Sequence, residues 1–161
     1  MDPDEINGLA IAERVRDLFT GRGLKLALAE SVTGGLIAST LTSAPGASEY
    51  FHSSIVSYSP DAKQRFLGVD PGLPEGIVSA DCARKMAEGA LRATGADVVL
   101  STTGNAGPEV LEEKPVGLVF AAVATREKTF ALRLELKGNR NEIRQAATAS
   151  ALELLIREVG R

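Results

Sequence analysis

The sequence is poor in the residue types that build crosslinks and metal centres. Its 161 residues include one cysteine, Cys82, and one histidine, His52. A single cysteine excludes an internal disulfide, and one residue of each type cannot supply the ligands of a usual zinc site. Apart from the adjacent Glu112 and Glu113, the acidic residues are scattered, so no carboxylate cluster for Mg²⁺ is evident. We therefore expect neither a metal nor another cofactor.

Positive charge and long apolar runs are also scarce. The chain has 18 Lys and Arg against 21 Asp and Glu, a formal charge of −3, which predicts no basic surface for nucleic acid. No stretch approaches the roughly 20 apolar residues that cross a membrane, and the acidic N-terminus is unlike a signal peptide. We expect a soluble, cytoplasmic protein without nucleic-acid or membrane partners.

Short strands and helices alternate along the chain. Apolar runs predict strands over 24–29, 53–59, 97–102, 116–125 and 129–136. Apolar residues at helical spacing, ended by glycine or proline, predict helices over 3–23, 33–43, 60–69, 79–95 and 143–155. The pattern predicts one α/β domain over residues 1–161. Its mixed, mostly parallel sheet lies between helices in three layers and ends in an antiparallel hairpin.

Three polar loops follow predicted strands: AESVTGG (29–35), SYSPDAK (57–63) and TTGNAGP (102–108). Ligands of such folds bind at the carboxyl ends of parallel strands, so we expect the loops to converge. In the first loop Ser31 has two interpretations. It is a helix cap, or it is a nucleophile beside the free N–H groups of a helix start, which would stabilise a bound anion. This stretch alone favours the cap.

A nucleophilic serine needs a base. His52 precedes a predicted strand, where a lone histidine is more often structural. Lys63 is the better candidate if desolvation lowers its pKa, and Tyr58 is placed to hydrogen-bond such a dyad. The alternative is an exposed lysine on a short helix. In the third loop Thr103 and Gly104 could help to form an anion-binding nest of backbone amides, or simply a turn-rich connection.

The C-terminal helix begins with two cations. Arg140 and Arg144 are four residues apart near its start, where cations oppose the helix dipole. Such a pair needs a compensating anion. Glu142, solvent, or a bound phosphate or carboxylate could supply it.

Taken together, these segments resemble the C-terminal domain of the CinA family, the nicotinamide-nucleotide amidohydrolase (nicotinamide mononucleotide deamidase). The resemblance rests on AESVTGGLIAS (29–39), VSYSPDAK (56–63), TGNAGP (103–108), EKPVG (113–117) and GNRNEIRQAA (138–147). It spans nearly the whole chain, in the family's order, and the chain looks like a stand-alone form of the domain.

The resemblance implies a Ser/Lys amidohydrolase that converts nicotinamide mononucleotide to nicotinate mononucleotide and ammonia. Ser31 would be the nucleophile and Lys63 the base, with Tyr58 assisting. The other implied or candidate substrate-binding residues are Thr33, Gly34, Gly35, Thr103, Gly104, Asn105, Arg140 and Arg144. Among these, the backbone amides of residues 33–35 are candidates for the oxyanion hole, and the two arginines are candidates for the nucleotide phosphate. The family also forms oligomers, which implies a homodimer or larger assembly.

Three positions depart from the family pattern. Val32 replaces a cysteine that is not the nucleophile, Asn105 replaces an apolar residue ahead of a loop without the usual glycines, and Asn139 replaces an acid. The last two changes lie on the expected ligand side. Two alternatives therefore stay open: a nucleotide-binding domain without catalysis, and an amidase for another carboxamide.

Overall fold

A computed structural model describes residues 2–161, except for the side chain of Ile6. The helices are α1 Pro3–Arg22, α2 Leu36–Thr42, α3 Pro60–Leu67, α4 Ala80–Thr94 and α5 Arg140–Gly160. The strands are β1 Leu26–Glu30, β2 Phe51–Val56, β3 Val98–Gly104, β4 Leu118–Thr125 and β5 Thr129–Glu135. A short 3₁₀ turn, Ala47–Glu49, precedes β2.

The five strands form one mixed sheet in the order β2-β1-β3-β4-β5. Strand β1 is parallel to both β2 and β3, whereas β4 pairs antiparallel with β3 and with β5. Four of the five strands therefore run in one direction, and the predicted mostly parallel sheet with a late hairpin is confirmed. The carboxyl ends of β1, β2 and β3 share one edge of the sheet, which brings the three polar loops together.

Helices cover both faces of the sheet. On one face α1, α2 and α5 bury Phe19, Ile37 and Leu152 against Leu28 and Leu100 of the sheet. On the other face α3 and α4 bury further apolar residues against alternating strand positions. The three-layer prediction is confirmed because strand side chains alternate between two apolar cores.

Side-chain caps and glycines explain the helix boundaries. Ser59 is the N-cap of α3 and Ser79 is the N-cap of α4. Asn139 caps α5 and forms a capping box with Glu142. Helices α1, α3 and α4 end at glycines with left-handed backbone conformation, Gly23, Gly68 and Gly95. The ends of α1 and α4 were predicted at these glycines.

Strand β2 covers 51–56 rather than the predicted 53–59. Beyond Val56 the chain leaves the sheet, and the carbonyl oxygens of Ser57 and Tyr58 turn towards the amine of Lys63. The apolar pattern could not predict this end because the turn is set by a side chain from the following helix.

Candidate active site

Ser31 and Lys63 meet at the carboxyl edge of the sheet. Ser31 directly follows β1, and Lys63 lies on the inner side of α3, where it is 1% exposed. The lysine Nζ is 2.8 Å from Ser31 Oγ. The interpretation of Lys63 as a solvent-exposed lysine is therefore wrong. Ser31 is itself buried and forms no cap on α2, whose N-cap residue is Gly35 without a side-chain cap.

Two backbone carbonyls hold the Lys63 amine. Its Nζ is 2.8 Å from the oxygen of Ser57 and 3.2 Å from that of Tyr58. A neutral amine has two N–H groups and one lone pair. In the structure, Nζ also donates to Ser31 Oγ. Once the amine is neutral, its two N–H groups can stay on the carbonyls and its lone pair can accept from the Ser31 hydroxyl. This geometry suits proton removal from Ser31.

The electrostatic surroundings favour the neutral amine. Burial lowers the pKa of Lys63, and this outweighs the opposing effects of Cys82 and Glu112. Burial also raises the pKa of the neighbouring Cys82 thiol to about 11, so the thiol carries no charge near neutral pH. Within residues 2–161, Lys63 forms no ion pair with a carboxylate that would hold its proton.

Glu30 organises the loop that carries Ser31, and the sequence analysis missed it. Its fully buried carboxylate accepts hydrogen bonds from the hydroxyls of Thr33 and Ser54 at 2.8 and 2.9 Å. It also accepts three amide hydrogen bonds at the start of α2, from residues 35, 37 and 38, at 3.0–3.2 Å. The available signal was an acid four residues before a Gly-Gly pair at a helix start, where a carboxylate satisfies free amides.

This network changes the choice of oxyanion donors. The amide of Gly35 donates to Glu30 and that of Gly34 to the carbonyl of Ser31, so the expectation that these two amides face a ligand is wrong. The amides of Val32 and Thr33 have no hydrogen-bond partner in the described part of the chain. They remain candidates for holding an oxyanion beside Ser31.

The two arginines of α5 contact the loops rather than a carboxylate. Arg140 donates to the carbonyl of Gly107 at 2.5 Å and to the Tyr58 hydroxyl at 2.6 Å. Arg144 donates to the carbonyl of Thr33 at 2.9 Å. Glu142 is engaged in the helix cap and, among residues 2–161, forms no ion pair with either arginine. Within residues 2–161, the two positive charges at this helix start therefore form no ion pair with a carboxylate.

Tyr58 is placed differently from the sequence expectation. Its side chain is 56% exposed and its hydroxyl binds Arg140, while only its backbone carbonyl contacts Lys63. His52 lies exposed at the amino end of β2 with Nδ1 2.8 Å from Ser53 Oγ. Since the dyad lies at the opposite, carboxyl edge of the sheet, the histidine is not part of this site.

The third loop closes a small cavity over Ser31. The cavity measures about 110 Å³, and its lining includes Ser31, Ile77, Thr103, Asn105 and Leu111. Thr103 donates to the carbonyl of Ile77 at 2.7 Å. Asn105 accepts from the amide of Gly107 at 3.0 Å and donates to the carbonyl of Lys114 at 3.3 Å. Gly104 also lines the cavity, and a side chain there would overlap the Leu118 carbonyl.

Comparison with known proteins identifies the family of this chain. The family model described as CinA C-terminal domain matches residues 9–159. The chain belongs to this family. A CinA-like protein of Geobacter metallireducens is 45% identical over 156 residues, which cover 95% of this chain and 38% of that protein. A CinA-like protein of Mycobacterium tuberculosis is 44% identical and matched over 94% of this chain and 36% of its own length. The CinA-family chain thus spans less than two fifths of these relatives.

Solved structures share the fold at high similarity. A competence/damage inducible protein from Agrobacterium tumefaciens superimposes with a TM-score of 0.90 at 38% identity, with 96% of each chain covered. The competence damage-inducible protein A from Klebsiella pneumoniae gives a TM-score of 0.92 at 29% identity, over 96% of this chain and 98% of that one. The resemblance predicted from the motifs is confirmed at the level of family and fold.

Two properties of the described residues bear on the class of protein. None of the helices over residues 2–161 is both long and apolar enough to cross a membrane. The same residues contain no group of three or more Asp, Glu, His or Cys side chains placed to hold a metal ion.

Proposed function

We propose that this CinA-family chain is an amidohydrolase that converts nicotinamide mononucleotide to nicotinate mononucleotide and ammonia. The observation that carries the proposal is the buried contact of 2.8 Å between Lys63 Nζ and Ser31 Oγ. A serine and a neutral lysine in this geometry form an activated nucleophile without histidine or metal. The reaction needs only the amide substrate and water.

In the first step Ser31 Oγ attacks the carboxamide carbon while its proton passes to Lys63. The negative charge that develops on the amide oxygen would be stabilised by hydrogen bonds from the amides of Val32 and Thr33, which have no other partner in the described residues. When the C–N bond breaks, the Lys63 ammonium returns the proton to the leaving nitrogen, and ammonia departs. Water then attacks the acyl-serine carbon and gives a proton to Lys63. As the bond to Ser31 Oγ breaks, the Lys63 ammonium returns that proton to Oγ, and nicotinate mononucleotide departs.

The nucleotide part of the substrate has its own candidate contacts. The cavity of about 110 Å³ is too small for a whole nucleotide, so the amide-bearing ring would enter it and the ribose phosphate would lie outside. Arg140 lines that cavity and Arg144 holds the adjoining loop. Because neither arginine forms an ion pair with a carboxylate in the described part of the chain, both are suited to bind a phosphate. Tyr58 would assist by orienting Arg140.

The direct test is ammonia release from nicotinamide mononucleotide, together with detection of nicotinate mononucleotide by chromatography. We expect both products in equal amounts from the purified protein. Without turnover, a nucleotide-dependent rise in melting temperature would favour the non-catalytic binding domain. Neither turnover nor stabilisation would favour a different carboxamide, whose choice would follow the altered loop around Asn105.

Turnover should depend on pH in one direction. Since only deprotonated Lys63 accepts the Ser31 proton, kcat/KM should rise about tenfold per pH unit below the pKa of Lys63 and level off above it. Burial lowers that pKa, so the plateau should begin below the ordinary value of 10.5. A pH–rate profile between pH 5 and 10 measures this. Lys63→Arg should be inactive throughout, and a wild-type rate independent of pH would contradict the assignment.

We also propose that the chain forms a homodimer or larger assembly. Strand β5 is an edge of the sheet, and its Phe130 is 40% exposed. An open edge with an exposed aromatic residue is suited to pairing with another copy. Light scattering of the purified protein should give at least twice the chain mass of 16.9 kDa. A monomer at micromolar concentration would contradict this.

A further inference from the structure

The turn at residues 111–114 has a strained backbone in an unusual place. Its two central residues, Glu112 and Glu113, have φ values of 55° and 59°, in the left-handed region that normally requires glycine or asparagine. The Lys114 amide donates to the Leu111 carbonyl at 3.0 Å and closes the turn. Strain of this kind persists only where surrounding contacts impose it.

Two side chains of this turn form hydrogen bonds with the backbone of residues 75–78. The Glu112 carboxylate accepts hydrogen bonds from the amides of Ile77 and Val78 at 2.9 and 3.1 Å. Lys114 Nζ donates to the carbonyl of Val78 at 2.6 Å and also to that of Glu75. Gly76 is needed between them, because a Cβ at that position would collide with the Glu112 carboxylate.

The segment at residues 75–78 forms part of the wall of the Ser31 cavity through Ile77. Ile77 and Leu111 both line that cavity, and Thr103 holds the Ile77 carbonyl from the other side. The residues next to them, Gly76, Val78 and Glu112, line a second, open cavity of about 670 Å³. Residues 76–78 and the turn therefore lie between the small cavity over Ser31 and a larger, more open one.

The charge state of Glu112 supports a closed wall near neutral pH. Burial would raise the pKa of its carboxyl group, but the hydrogen bonds from Ile77 and Val78 and the charge of Lys114 outweigh burial and lower that pKa. The carboxylate form is the one that accepts both amides, so the contact between turn and segment holds in the range where Lys63 can act as a base.

We propose that Glu112 and Lys114 are positioning residues that fix Ile77 and Leu111 and so limit the size of the group that reaches Ser31. The inference rests on the proposed function, since it takes Ser31 to be the nucleophile. Loss of their contacts would let the small cavity open towards the larger one. With these contacts intact, the turn and the dyad together would make this CinA-family chain select small, flat primary amides.

The test uses two sulfonyl fluorides of different size, methanesulfonyl fluoride and phenylmethanesulfonyl fluoride. Ser31 Oγ forms a bond to sulfur, fluoride leaves, and the serine proton passes to Lys63. Intact-mass spectrometry with peptide mapping gives the labelling rate at Ser31 for each reagent. We expect Glu112→Ala to raise the ratio of the large-reagent rate to the small-reagent rate at least tenfold.

Glu113→Ala is the matched control. It removes the same charge from the same strained turn, and Glu113 makes no side-chain hydrogen bond in the described part of the chain. Its rate ratio should stay within twofold of wild type. Lys114→Met removes the hydrogen bonds to the carbonyls of Glu75 and Val78 and should also raise the ratio. This second variant keeps the test usable if Glu112→Ala does not fold.

Three results would overturn the proposal. They are an unchanged ratio in both Glu112→Ala and Lys114→Met, an equal rise in Glu113→Ala, and no labelling of Ser31 in any variant. If Glu112→Ala and Lys114→Met have a lower melting temperature but an unchanged rate ratio, their contacts serve stability only, and the proposal is equally overturned. If the ratio shifts but the wild type releases no ammonia from nicotinamide mononucleotide, the positioning role of Glu112 and Lys114 is supported and the proposed substrate is wrong.

Discussion

Ser31→Ala should lower kcat for ammonia release from nicotinamide mononucleotide by about a thousandfold or more. Loss of a nucleophile in a hydrolase that works through a covalent intermediate has effects of this order. The nucleotide should still bind, because the candidate phosphate contacts on α5 are untouched. The measurements are steady-state turnover and the nucleotide-dependent rise in melting temperature.

The control for this variant is Ser39→Ala. Ser39 lies on α2 and is exposed, and its side chain makes no hydrogen bond within residues 2–161. Its kcat should stay within a factor of two of wild type. Retention of more than a tenth of wild-type turnover in Ser31→Ala would assign the nucleophile to another group.

Lys63→Met should be as inactive as Ser31→Ala, and its stability should reveal the buried amine. Because the folded-state pKa of Lys63 lies below 10.5, the unfolded chain binds more protons between the two pKa values. The free energy of unfolding of the wild type should therefore increase relative to that of Lys63→Met as pH rises through that range. Urea unfolding at several pH values from 6 to 10 measures the difference. Lys85→Met, at a half-exposed lysine of α4, should show no such trend.

Glu30→Ala should lower the free energy of unfolding by about 3–5 kcal/mol, because it breaks a buried hydrogen-bond network around one carboxylate. The substitution leaves the amides of Gly35, Ile37 and Ala38 and two hydroxyls without their acceptor in a buried place. Each unpaired buried group carries a cost of about 1–3 kcal/mol, which partial rearrangement reduces. Since Ser31 directly follows Glu30, turnover should also fall.

Two further variants sharpen this prediction. Glu30→Gln keeps the shape but offers one acceptor oxygen, and its NH₂ group would face donors, so we expect a loss between zero and that of Glu30→Ala. Glu127→Ala, in the exposed hairpin turn, should stay within about 0.5 kcal/mol of wild type. Chemical denaturation with equal m-values is the measurement. A loss below about 1 kcal/mol in Glu30→Ala would show that the network relaxes without its carboxylate.

The departures from the family pattern have local structural explanations. Asn139 caps α5 through its side chain, a role that aspartate shares, so the helix start survives this change. Asn105 holds the loop through Gly107 and Lys114, contacts that an apolar residue could not make. Val32 is buried among Ala106, Val119 and Ile143. None of the three changes removes a group from the dyad.

The sequence by itself determined the element order, the two-sided core and the family. Strand and helix periods are local properties, and caps such as Ser59, Ser79 and Gly95 lie within a few residues of the boundaries they set. The motifs also placed Ser31 and Lys63 at one edge of the sheet, because the segments that follow parallel strands begin on the same side.

Only the tertiary structure decided the state of the site. Burial lowers the pKa of Lys63, and the position of its amine is set by carbonyls that follow β2; a lysine in a sequence reveals neither. The five hydrogen bonds to Glu30 come from residues 3 to 24 positions away. The contacts between the strained turn at 111–114 and residues 75–78 join segments more than 30 positions apart. Desolvation and long-range hydrogen bonds are set by packing, so they appear only when the chain is folded.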